Sequence, residues 1–138
     1  IVTTKSYFNV VTESHHEYAK DDGLLISEKT CKALISQPFM VVGNCGLLEY
    51  LRENGFETYP ELFDESYDNF QEDNVCDWTK RVHHVVNEVE RICKLNSNVR
   101  HDLFLKIREK VMHNKEWFFT NQESTKLLID KFNKIKNG

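Results

Sequence analysis

The chain has 138 residues and a formal net charge of −4, and 40 % of its residues are hydrophobic. This is the size and composition of one globular domain, and not of a disordered chain. The acidic balance argues against a nucleic-acid-binding protein, because phosphate binding needs a basic face. No apolar run is long enough to span a bilayer. We therefore expect no nucleic-acid partner and no membrane span.

The N-terminal part of the chain alternates between strand and helix patterns. Residues 7–12 are β-branched and aromatic, which predicts a buried strand. Ser27 is a good N-cap for a helix over residues 28–36, since its hydroxyl can accept a hydrogen bond from the first turn. The apolar run Phe39–Val42 predicts a second strand, covered on both faces as in parallel sheets.

The same alternation then continues for one more helix and strand. Leu47, Leu48 and Leu51 mark the apolar face of a short helix that ends near Gly55. Residues 56–59 predict a third strand. Strands that alternate with helices in this way imply right-handed crossovers and a parallel sheet.

The rest of the chain has a different character. Residues 61–77 are acidic with interleaved aromatic residues and predict a loop, whereas residues 78–138 have helical periodicity. We therefore predict an α/β fold: a short parallel, Rossmann-like sheet of about three to four strands with crossover helices, followed by a helical C-terminal region. Residues 1–138 would form a single domain, with its βαβαβ core over residues 7–60.

The cysteines and the start of the chain bear on compartment and completeness. The four cysteines are Cys31, Cys45, Cys76 and Cys93. They form no CxxC pair and have no zinc-finger spacing, which predicts reduced thiols. No signal peptide is visible, so we expect a cytoplasmic protein. The sequence begins without a methionine, and we interpret it as a piece of a longer protein.

Two segments contain side chains suited to ligand chemistry. Residues 27–29 lie at a predicted helix start, where amides and the helix dipole favour anions, although charged first turns are also common without any ligand. Residues 64–68 hold three carboxylates that could bind a divalent cation or form a solvated acidic turn. The adjacent histidines at 15–16 and 83–84 make poor chelating pairs. No glycine-rich phosphate loop and no nucleophile elbow is present, and no cofactor is expected. No metal is expected either, because a ligand pattern such as HExxH is missing.

Four segments carry a resemblance to a known family. They are residues 25–30 (LISEKT), 37–43 (QPFMVVG), 51–59 (LRENGFETY) and 64–68 (DESYD). Together they resemble a poorly characterised family of viral proteins and bacterial glycan-synthesis proteins, over most of the chain. Membership would make this a viral or bacterial protein, and a viral one would act within a host cell.

The S-E-K element is similar to the donor-binding motif of GT-B glycosyltransferases, including the α-1,3-fucosyltransferases. In these enzymes a C-terminal Rossmann-like half holds the nucleotide sugar. The resemblance implies that Glu28 contacts the ribose hydroxyls and that Lys29 approaches the diphosphate of a GDP- or UDP-linked sugar. Ser27 would cap the helix, and Glu13 would face the same crevice from the preceding strand. The catalytic base and the acceptor glycan would come through a missing N-terminal half, so no catalytic residue is assigned.

Three functions follow as alternatives. The first is the nucleotide-sugar-binding half of a glycosyltransferase, incomplete for catalysis alone. The second is a non-enzymatic protein-interaction domain with a Rossmann-like remnant fold, in which residues 117–119 form a docking face and not core. The third is a metal-dependent hydrolase built on Asp64, Glu65 and Asp68, which lacks a matching histidine. The resemblance favours the first.

Overall fold

The computed structural model describes residues 6–14, 24, 26–73, 75–121, 123, 126 and 130. In chain order they form β1 (Asn9–Thr12), α1 (Glu28–Leu34), β2 (Phe39–Val42), α2 (Leu47–Glu53), a 3₁₀ helix (Glu65–Asn69), β3 (Gln71–Glu72), β4 (Val75–Cys76), α3 (Trp78–Lys94) and α4 (Ser97–Thr120). The fold is mixed α/β with a helical C-terminal region, as the sequence predicts.

The first two strands form a short parallel sheet. β1 pairs with β2 in a register that runs from Asn9 opposite Phe39 to Thr12 opposite Val42. All four residues of β2 are buried, which agrees with the prediction of a strand covered on both faces. Between the two strands in sequence, α1 begins after its N-cap Ser27, whose hydroxyl accepts a hydrogen bond from the Lys29 amide at 3.2 Å.

The predicted third strand is wrong, because side chains and not β2 bind its backbone. Residues 56–59 have no strand pairing. The Glu57 amide donates to Asn114 Oδ1 at 2.7 Å, and the Tyr59 amide donates to Glu65 Oε1 at 2.7 Å. On β2 itself, the Val41 amide donates to the Tyr67 hydroxyl at 3.0 Å. Within the described residues the parallel sheet therefore has two strands, and not three to four.

Residues 61–77 are more ordered than the predicted loop. They contain the 3₁₀ helix and the antiparallel pair of β3 and β4. Cys76 in β4 is paired with Cys45, across a Cα–Cα distance of 5.9 Å. This contact places the small hairpin against the turn that follows β2.

The two long helices, α3 and α4, pack against the preceding elements. Asp77 and Asn96 act as the N-caps of α3 and α4. Trp117 of α4 donates its indole N–H to Asn54 O at 2.8 Å and lies against Gly55, which has a φ of +82°. A side chain at Gly55 would place its Cβ 2.7 Å from the indole ring, so both the turn and the packing require glycine.

Two further predictions concern the helices. No helix among the described residues is long and apolar enough to cross a membrane. The predicted apolar stripe beyond residue 121, which includes Leu127 and Phe132, lies outside the described residues.

Candidate functional site

Glu13, Ser27 and Thr30 form a clamp between the end of β1 and the start of α1. The Glu13 side chain is only 5 % exposed. Its Oε1 accepts hydrogen bonds from the Ser27 amide at 3.0 Å and from the Thr30 hydroxyl at 2.5 Å. The structure therefore brings Glu13 and Ser27 together as predicted, but Glu13 Oε1 already accepts hydrogen bonds from within the protein.

Lys29 and Glu28, the other two predicted residues, lie on the outside of this clamp. Both side chains are exposed. Lys29 Nζ donates to Thr12 O at 3.2 Å and to Ser14 Oγ at 3.4 Å, which places its charge at the carboxyl end of β1. The pair is accessible to a ligand at the edge where parallel α/β sheets bind theirs.

The amides at the start of α1 are less available than the sequence suggests. The Ser27 amide is bound by Glu13, and the Lys29 amide is bound by Ser27 Oγ. A carboxylate thus already occupies part of the position that a phosphate would take at this helix end. An anion at this edge has to be held mainly by the Lys29 ammonium group.

The turn after β2 completes the carboxyl edge of the sheet. A Cβ at Gly43 would lie 3.0 Å from a Leu47 carbon and 3.2 Å from Glu13 Cγ, so the turn packs directly on the clamp. The buried Arg81 side chain supports this turn from below. It donates to Gly43 O and, at 2.9 Å, to Tyr67 O.

The carboxylates of residues 64–68 serve the fold and point in different directions. Asp68 Oδ2 accepts from the amides of Leu48 at 3.0 Å and Glu49 at 3.3 Å, and so caps α2. Glu65 binds the Tyr59 amide through one oxygen and Arg52 through the other, whereas Asp64 caps the 3₁₀ helix.

Burial raises the pKa of both Glu65 and Asp68 above the usual range. Among the described residues no group of three metal-ligating side chains comes together. The histidine pair at 15–16 lies outside the described residues. The structure therefore gives the acidic segment the role of a scaffold for α2 and the segment before the 3₁₀ helix.

A groove that the sequence did not reveal runs along the outer edge of β1. Its volume is about 680 Å³, within the range of ordinary ligand sites. Backbone and side chains of Asn9–Thr12 form one wall, and α1 and the end of α4 form the others. Lys29, Lys32 and Lys115 all line it. The sequence predicts β1 only as a buried strand, and nothing there pairs Lys32 with Lys115.

The aromatic cluster at residues 117–119 is divided between core and surface. Trp117 is held by its bond to Asn54, and Phe118 packs on the core, where its ring contacts Phe56. Phe119 is 65 % exposed and lies at the rim of the groove. The predicted docking face is thus reduced to a single exposed ring.

No known protein family, characterised protein or solved structure matches the chain. The four segments that resemble glycan-synthesis proteins therefore remain a prediction about function, and the geometry at the carboxyl edge of the sheet supplies the physical evidence.

Proposed function

We propose that the chain is the nucleotide-sugar-binding half of a glycosyltransferase of the GT-B type. One observation carries the proposal. The Glu13 clamp fixes the start of α1, so that the exposed Lys29 ammonium group lies at the carboxyl end of β1 and the exposed carboxylate of Glu28 precedes it in the first turn. A ribose offers hydroxyl donors for the carboxylate, and a diphosphate offers negative charge for the ammonium group.

Each predicted residue then has a distinct part. Lys29 binds the diphosphate and stabilises the charge that develops on the leaving nucleotide. Glu28 accepts hydrogen bonds from the ribose hydroxyls. Glu13 and Ser27 position the pair, because their bonding capacity is used within the clamp. Lys29 is already held next to Thr12 O, so little of its freedom remains to be lost on binding.

The proposal also concerns what completes the protein. In the half that the resemblance implies, the sheet is Rossmann-like and has three to four strands. The acceptor glycan and the catalytic base would come from an N-terminal half. The chain alone is then expected to bind a nucleotide sugar weakly and to transfer nothing.

Isothermal titration calorimetry with GDP- and UDP-linked sugars tests the donor site. We expect weak binding by the wild-type chain and a loss of affinity of about ten-fold in Lys29→Ala, since one charge-assisted contact is worth about 1.5 kcal/mol. Lys106→Ala, an exposed lysine on α4 outside the groove, is the matched control and should bind like the wild type. Absence of heat with every donor, or equal affinities of the wild type and Lys29→Ala, would exclude this assignment.

A further inference from the structure

Among the residues that the structure describes, no strand pairs with the outer edge of β1. The amides of Asn9 and Glu13 donate to Pro38 O and Val42 O, both at 2.9 Å, so the odd-numbered residues turn towards β2. Backbone groups of alternate residues in a strand point to opposite sides. Val10 and Thr12 therefore turn their N–H and C=O groups away from β2 and into the groove, where Thr12 O meets Lys29 Nζ.

The groove along this edge has a charge opposite to that of the chain as a whole. Of the described residues that line it, three are lysines and none has a carboxylate, although the net charge of the chain is −4. Lys32 and Lys115 form no ion pair with any residue that the structure describes. Such a local concentration of positive charge favours an anionic occupant.

The position of the lysines also leaves the strand edge accessible. Proteins often protect an edge with charged side chains on the strand itself. Here Lys29 and Lys32 lie on α1 and Lys115 lies on α4, so they flank the edge and do not cover it. Val10, on the strand, is 46 % exposed, and Phe119 adds an apolar ring at the rim.

From these observations we propose that the outer edge of β1 is a docking site for an extended, acidic segment of a partner protein. The segment adds to the sheet as a further strand and hydrogen-bonds to the backbone of Val10 and Thr12. Its carboxylates contact Lys32 and Lys115, and its apolar side chains lie on Val10 and Phe119. The groove adjoins the donor site, because Lys29 lines the groove and also bonds to Thr12 O at the carboxyl end of β1.

Fluorescence anisotropy with a labelled peptide of alternating glutamate and valine measures this docking. The double variant Lys32→Glu/Lys115→Glu should bind about ten-fold more weakly, because two exposed charge contacts become repulsive. Lys106→Glu, the same change on α4 outside the groove, should bind within about two-fold of the wild type. Equal affinities of the double variant and the wild type would overturn the proposal.

Two further probes separate strand addition from plain charge attraction. A peptide of the same sequence with every amide N-methylated keeps its charge but cannot donate to β1 through either edge, so it should lose most of its affinity. NMR spectra of the bound state should show the largest amide shifts at Val10 and Thr12. Equal binding of the methylated peptide, or of single-stranded oligothymidylate, would show a polyanion surface and exclude strand addition.

A competition experiment keeps the two proposals distinct. Saturating GDP should leave peptide affinity nearly unchanged, because the nucleotide is expected to contact Lys29, whereas the peptide carboxylates contact Lys32 and Lys115. Displacement of the peptide by GDP would overturn the docking site as stated. Failure of every nucleotide to bind would affect only the donor site.

Discussion

The two edges of the parallel sheet are finished in different ways. At the β2 edge, the Val41 amide donates a hydrogen bond to the Tyr67 hydroxyl. The amides of Tyr59 and Glu57 donate to the side chains of Glu65 and Asn114. At the β1 edge, the backbone groups of alternate residues face a basic groove. One edge is closed by side chains from the same chain, and the other is left available.

This difference shows what the DESYD segment does. Tyr67 occupies the position at which a third strand would bind. Asp68 binds the start of α2, and Glu65 binds the Tyr59 amide. A sequence element that looks like a metal or catalytic cluster therefore ends the sheet on one side. On the other side, lysines of α1 and α4 make the groove along the sheet edge basic.

The largest effect on the closed edge is expected from Asp68→Ala. Asp68 is 1 % exposed and caps α2 through the Leu48 and Glu49 amides. Its loss leaves buried donors without a partner, which should cost about 3 kcal/mol in the free energy of unfolding. Urea denaturation monitored by circular dichroism measures this cost.

Asp64→Ala is the matched control within the same segment. Asp64 caps the short 3₁₀ helix at the surface, and its loss should cost only about 1 kcal/mol. If the two variants are equally stable, Asp68 does not organise the closed edge.

A smaller effect is expected from Tyr67→Phe. This change removes only the hydroxyl that the Val41 amide bonds to, and it should cost about 1–2 kcal/mol. Hydrogen exchange at the Val41 amide should become faster in the variant. Tyr7→Phe, at an exposed position, is the control and should change neither quantity. Unchanged protection of Val41 in Tyr67→Phe would contradict the closing role of the hydroxyl.

The smallest expected effect is the contribution of Glu65 to the pH dependence of folding stability. Burial raises the pKa of Glu65 in the folded chain, so the folded state binds this proton more tightly than the unfolded state. The associated stability is fully present below the unfolded value of about 4.3 and is lost as the pH rises through the raised pKa.

Glu65→Gln cannot titrate and isolates this contribution. Relative to the variant, the wild type should lose stability as the pH increases from about 4 towards neutrality. Denaturation curves at stepped pH measure the difference. A relative gain for the wild type over that interval would show that the bonds from Tyr59 and Arg52 outweigh burial.

The parts of this fold that local patterns determine were predictable. The bounds of β2 match the predicted strand, and Ser27 caps α1 as its hydroxyl and position suggest. Helix and strand signals of this kind act over a few residues, so the sequence contains them directly.

The prediction of a third strand was wrong because the residues that bind this segment are distant in the sequence. Residues 56–59 have a strand-like composition, but Asn114 binds them across 57 positions of sequence and Tyr67 occupies the edge of β2. The candidate site divides in the same way. Hydrogen bonds link Glu13 to Ser27 and Lys29 to Thr12, as a strand followed by a capped helix allows, whereas Lys32 and Lys115 line one groove only because α4 packs beside α1.

The bonds of Asn114 have a consequence for synthesis on the ribosome. Asn114 accepts from the Glu57 amide and donates to Glu57 O, and Trp117 rests against Gly55. Residues 55–59 therefore acquire their native backbone only after the segment that carries Asn114 has been translated and has left the exit tunnel. Until then their strand-like sequence lacks these partners, and unpaired segments of this kind are prone to aggregate.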